Sequence, residues 1–346
     1  MRKRKLKKKN IIIMVSAIVV LIAVAVGGFV LFGKDEEVVK KIKEKVKPKA
    51  ELKIVDLDSD SRPYAVMINN IGVARPLQSG LQDAYIIYEM IVEGGLTRYM
   101  ALFLDQDTER IGSIRSSRHY YLDYALENDA IYVHHGQSPQ AAADFSKLGI
   151  DRIVVDNSKT GWRDKSLKVS SEHTLFTSIE KLNNGIGKKR TEREKDLLLE
   201  YSVDAVDLSK NENSKVANNV EIKYSTSVTS SYEYDVENQV YKRFVNGKEH
   251  KDYVTGNQYT FKNIITYKVK NYTLDDSENK GRQGLDNIGS GEGYFITNGY
   301  AVPITWEKKS REAQTVYKYK NGEEIIVNDG NTFIQIQPTG QDLTIS

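Results

Sequence analysis

The chain has 346 residues, 28% of them charged, a formal net charge of +3 and no cysteine. The missing cysteine excludes a disulfide framework, a thiolate metal centre, a cysteine nucleophile and a lipid anchor on an N-terminal cysteine. The positive total is local: seven cations lie within residues 2–9, and residues 34–53 hold eight lysines against five acids, so residues 54–346 carry −7. An acidic body lacks the basic footprint of a nucleic-acid partner, and none is expected.

Residues 11–33 (IIIMVSAIVVLIAVAVGGFVLFG) hold no charge. As a helix this run spans roughly 34 Å at ~1.5 Å per residue, enough for a hydrocarbon core of about 30 Å. The preceding cations keep residues 1–10 cytoplasmic and send the remainder across the membrane. Ala23-Val24-Ala25 offers a cleavage site for the alternative, a signal peptide. The run exceeds the usual apolar region of such peptides, which favours an uncleaved single-pass anchor. Residues 34–53 then read as a charged stalk interrupted by Pro48.

Residues 54–202 alternate strand and helix patterns and predict an α/β domain. Strands are expected at 64–69, 84–92, 99–105, 130–135 and 152–155, and a helix over 117–127. A second helix should open at Ser138-Pro139, with serine as cap, and stop at Gly149. Thr177/Glu180 and Thr191/Glu194 fit capping boxes. Residues 203–214 read as a linker, and 215–346 as a mainly-β (α+β) domain. Its strand signals lie at 232–234, 239–245, 259–267, 293–297, 316–319, 324–327 and 332–337, with hairpin turns at Asn246-Gly247 and Asn321-Gly322. Gly289-x-Gly291-x-Gly293 reads as a turn, since no strand–turn–helix frame surrounds it.

Polar groups that could carry chemistry concentrate in the first domain. Glu89 and Glu93 would face one side of a strand, near Arg98 if Gly94-Gly95 turns the chain back. Paired carboxylates can serve glycoside hydrolysis; a structural Glu–Arg network has the same sequence signature. Arg115, Ser116 and Arg118 enter a helix, where guanidiniums and free N–H groups suit a carboxylate or phosphate; serine capping is the plainer alternative. His134, Gly136 and Ser138 mark a strand-to-helix turn that lacks the second glycine of a nucleophile elbow, and capping accounts for Ser138. Arg163 and His173 stand in separate segments, His173 being suited to acid–base work near neutral pH. His119, His134, His135 and His173 show no H-x-x-x-H or H-x-H spacing, so neither a metal nor a cofactor is expected.

The stretches RPYAVMINN (62–70), ARPLQSGLQDAYIIYEMIVEGGLTRYMALF (74–103), IGSIRSSRHYYLDYA (111–125), HHGQSPQA (134–141), GWRD (161–164) and SEHTLFT (171–177) resemble the YerB-like family of Gram-positive envelope lipoproteins. So do YEYDVENQVYKRFVNGKEHKD (232–252), Asn263-Ile264-Ile265, GSGEGYF (289–295), Trp306 and NGEEIIVNDGNTFIQI (321–336). The resemblance implies an extracytoplasmic location and a two-part domain, with no established reaction. The departure is at the front, where an apolar helix replaces the lipoprotein cysteine. Two functions follow as expectations. In the first, Arg98, Arg115, Ser116, Arg118, His134, Gly136, Ser138 and Arg163 bind an anionic, peptide or glycan component of the envelope, or an envelope protein. In the second, a wall hydrolase or transferase uses Glu89, Glu93 and His173. The predominance of arginine, a binder more than a base, leans to the first.

Overall fold

The structure, a computed structural model, describes residues 52–346. The expected anchor (11–33), the basic tip and nearly all of the stalk lie outside the described residues. Among the described residues no helix is long and apolar enough to cross a membrane.

The strands that build the two main sheets include β1 (Tyr64–Asn69), β2 (Ile86–Ile91), β3 (Thr97–Phe103), β4 (Ile131–His134), β5 (Arg152–Val154), β6 (Lys215–Val216), β7 (Asn219–Lys223) and β8 (Thr229–Asp235). They continue with β9 (Val240–Val245), β10 (Asn263–Val269), β11 (Gly289–Thr297), β12 (Tyr300–Lys308), β13 (Val316–Tyr319), β14 (Thr332–Pro338) and β15 (Leu343–Ile345). The α-helices among the described residues are α1 (His119–Glu127), α2 (Pro139–Lys147) and α3 (Ile179–Gly185).

An eleven-stranded mixed sheet runs β6-β12-β11-β10-β14-β2-β3-β1-β4-β5, with β13 also on β12. β4, α2 and β5 form a parallel crossover, and β4 is also parallel to β1, which is the α/β pattern expected of the first domain. The described residues as a whole are mainly β. A six-stranded sheet built on β9-β8-β7-β15 lies on one face of the large sheet, and α1 lies on the other.

The two expected domains share this large sheet. Ile86–Met90 of β2 pair in parallel with Thr332–Ile336 of β14, and residues 51–346 form one compact unit. Both strands are buried along their length, as a central strand covered on both faces requires. Residues 203–214 are largely loop, but seated: Leu208 is buried and Val206 N–H donates to Asn328 Oδ1 at 2.8 Å.

Several local expectations need correction. α1 has Arg118 at its N-cap with no side-chain cap, so Ser116 and Ser117 do not cap it. α3 is capped by Ser178, whose hydroxyl accepts from Lys181 N–H, and Thr177 is buried with its hydroxyl on Thr160 O. No helix follows Thr191, whose carbonyl instead receives the Arg62 N–H. Gly289-x-Gly291-x-Gly293 lies in β11, where a Cβ at Gly291 would meet the Trp306 indole nitrogen at 2.8 Å. The Ser138 cap of α2 and the Asn246-Gly247 turn are as expected.

At the centre, Glu89 and Arg243 pair at 2.9 Å with no exposed surface on either side chain. Ser230 and Thr97 hydroxyls also donate to Glu89, at 2.9 and 2.7 Å. Removing one partner strands a buried charge. Glu89→Gln or Arg243→Met should therefore cost about 3–5 kcal/mol, while Glu89→Leu/Arg243→Met together should recover most of it. Urea unfolding of the three variants checks this; single losses below about 1 kcal/mol would assign the pair the weight of a surface bridge.

Candidate functional site

The carboxyl end of β4 turns sharply through His135-Gly136-Gln137 into α2. Gly136 has φ 75°, and a Cβ there would lie 2.9 Å from Ser116 Oγ. Glycine is needed for the conformation and for the close approach. Residues 115–117 run against this turn: His135 N–H donates to Arg115 O, Ser117 N–H to Gly136 O, and Ser138 N–H to Ser117 O. The Ser138 N–H is thus already used, and its hydroxyl holds Ala141 N–H at 3.2 Å. The N–H is not left for an oxyanion, and the hydroxyl serves as the cap of α2.

The two expected carboxylates do not share a cleft. Glu89 points to the six-stranded sheet and Arg243. On β3, Tyr99 pairs in register with Glu89 and sends its hydroxyl to the same Arg243, whereas its neighbour Arg98 faces the α1 side, where Tyr121 lies. Alternation along the strand therefore separates Glu89 from Arg98. Glu93, in the turn after β2, is held bidentately by Arg118 at 2.5 and 2.8 Å, with Arg98 at 3.9 Å. Burial alone would raise the Glu93 pKa, but the hydrogen bonds and charge of Arg118, helped by Arg98, bring it below the ordinary value. Arg98 donates to Ser116 O, and burial together with the neighbouring Arg118 lowers its pKa to about 10. Glu93, Arg98 and Arg118 thus satisfy one another, which is the network alternative.

The other basic groups gather on an accessible rim. Arg115 Nη2 donates to Glu172 Oε2 at 2.7 Å, and the Glu172 side chain is 54% exposed. Arg163 donates to Ser171 O and lies 3.4 Å from His135 Nε2, with no carboxylate partner among the described residues. His135 Nδ1 is 2.7 Å from Val155 O, so Nδ1 carries the proton and Nε2 can accept from Arg163. His173 Nδ1 accepts from Asn69 Nδ2 at 3.1 Å, which places its proton on Nε2, 3.6 Å from Glu172 Oε1. Burial lowers the His173 pKa against the opposing pull of Glu172.

His134 is not on this rim. It is buried, stacked on Phe145 at 5.0 Å, with Nδ1 2.8 Å from Gly136 O and Nε2 without a partner among the described residues. His135, one position on, takes the outward place, as strand alternation requires. Glu172 and Asn69 were not singled out from sequence; both lie within stretches that carry the family resemblance, Asn69 at the end of the first apolar strand. Among the described residues no group of acids and histidines is placed to hold a metal.

Residues 51–192 match the family described as "Protein of unknown function (DUF3048) N-terminal domain", and 220–334 match its C-terminal domain. A protein named "Putative lipoprotein YerB", from Bacillus subtilis (strain 168), is 30% identical over 312 residues, covering 86% of this chain and 88% of the relative. The chain belongs to this family. The crystal structure of the YerB protein from Bacillus subtilis superposes with a TM-score of 0.71 at 28% identity, over 86% of this chain and 97% of that one. Every rim residue falls within the N-terminal match, and Arg243 within the C-terminal one.

Burial lowers the His134 pKa from 6.5 to about 4, against the pull of its bond to the Gly136 carbonyl. The unfolded chain therefore takes up this proton first. The contribution is whole above pH 6.5 and is lost as pH falls towards 4. Between pH 7 and 4.5, His134 should remove about 2–3 kcal/mol of stability. Urea unfolding at both pH values should give His134→Phe a smaller difference than the parent chain; equal slopes would deny the histidine this role.

Proposed function

We propose that this protein is a membrane-associated protein of the cell exterior that binds an anionic envelope component on the rim of Arg115, His135 and Arg163. Location is supported by the lipoprotein name of the Bacillus subtilis relative and by the apolar run at residues 11–33. The binding role is carried by one observation: Arg163 stands beside His135 with no carboxylate among the described residues to neutralise it. Its fork suits a phosphate or carboxylate. Arg115 is the second arm, and its partner Glu172, being largely exposed, is easily displaced by a ligand anion. His173 adds an N–H beside the same carboxylate. The rim sits beyond the carboxyl end of a parallel strand, a common position for ligands in sheets with crossovers.

The hydrolytic alternative has less to support it. Glu89 has no free face, Glu93 is clamped by Arg118, and His173 approaches neither.

The test is titration of the full chain in detergent micelles with a poly(glycerol phosphate) oligomer, at low and high salt. Arg163→Ala should weaken binding by about tenfold or more, since a charge-assisted fork is lost. Glu172→Gln should tighten it by releasing Arg115, and Arg118→Ala should leave it nearly unchanged. Equal affinity of the Arg163→Ala variant and the parent chain would overturn the assignment.

A further inference from the structure

A second cleft, of about 300 Å³, opens where the 80–83 and 108–110 segments meet the 252–259 turn. Arg110 lines it. The guanidinium lies over the Phe176 ring at 3.7 Å and near that of Tyr253 at 5.2 Å. Nη1 pairs with Asp164 at 3.0 Å, and Asp164 is not part of the cleft wall. The opposite edge, Nε and Nη2, is buried and has no partner among the described residues. Leaving two donors of a cation unsatisfied is costly, and Nε with Nη2 forms the side-on fork that accepts a planar carboxylate.

The acids of the cleft differ in availability. Asp252 is spent: its oxygens accept from Gly80 N–H, Tyr259 O–H, Val254 N–H and Thr255 N–H. Among the described residues Asp83 receives only the Thr108 hydroxyl, at 2.7 Å, and Glu109 is exposed. Neither has a cation within 4 Å among the described residues. A cleft with one guanidinium whose buried edge lacks a partner, beside two open carboxylates, repels a simple anion and matches a ligand carrying both signs. The geometry points to a binding site for an amino-acid-type zwitterion, such as the end of a short peptide. Its carboxylate seats on Arg110 Nε/Nη2 and its ammonium on Asp83 and Glu109. The exposed Tyr253-Val254 turn borders the cleft.

This site is separate from the arginine rim and does not rest on that function. The experiment follows the Nε–H resonance of Arg110 in arginine-labelled full chain in micelles, assigned by its loss in Arg110→Lys, during titration with alanyl-alanine. Saturable movement of that resonance is expected. By calorimetry, affinity should fall about tenfold in Arg110→Lys, which keeps charge but loses the fork. Asp83→Asn/Glu109→Gln should weaken the dipeptide as well, and Arg163→Ala should leave it unaffected. Binding of acetate as tight as that of the dipeptide would overturn the zwitterion assignment. So would an unmoved Arg110 resonance in the parent chain up to ~50 mM dipeptide, a concentration that covers millimolar affinities.

Discussion

Glu89 and Arg243 neutralise each other in the space between the two sheets, and the rest of the architecture is arranged around that pair. Two charges taken out of water are tolerable only with excellent geometry and with their remaining donors and acceptors filled. Here Arg243 also reaches the Tyr232 and Tyr99 hydroxyls and His250 Nδ1, with Phe333 beneath it. Gln335 joins the network through Tyr232 and Tyr224. The partners come from β2, β3, β8, β9 and β14, so they satisfy one another in only one placement of the six-stranded sheet on the large one. An apolar interface of equal area would hold the sheets together without fixing that register so narrowly. The same saturation leaves the Glu89 carboxylate no exposed face.

Local pattern in the sequence gives the strands well, because β1 to β4 are compact apolar runs bounded by turn residues. It gives the Ser138 cap and the Asn246-Gly247 turn for the same reason: each is a rule about adjacent residues. It fails on β12. Pro303 argues against a strand in a central position, since it cannot donate to a ladder. The structure resolves this by geometry. One side of β12 pairs with β11; the other meets β6 only at Tyr300–Ala301 and β13 only from Ile304 onward. Pro303 sits in the gap between those neighbours, where no donor is required.

The site residues were legible as types and illegible as pairs. Arg98, Arg115, Arg118 and Arg163 stand out in sequence, but which of them is neutralised depends on contacts across the fold. Proximity in sequence suggested Glu89 with Arg98, whereas the partner of Glu89 lies 154 positions away. Glu93 consumes Arg98 and Arg118, leaving Arg115 and Arg163 to determine the potential of the rim. His134 and His135 could not be distinguished by motif. Alternation decides between them, and only after the strand's inward face is known.

Both proposed sites are positioned by one small element, a three-stranded sheet of Ile111–Gly112, Leu175–Thr177 and Trp162–Arg163. Arg163 and Asp164 are consecutive, so in extended chain their side chains point to opposite sides. Arg163 serves the rim with His135, while Asp164 fixes one edge of Arg110 at the cleft. Gly161 permits this crossing: a Cβ there would come within 2.6 Å of the Phe176 carbonyl and 2.5 Å of Val155. A shift of this strand would therefore move Arg163 and release Arg110 together. The two sites are chemically distinct, and they share only this strand as backbone support.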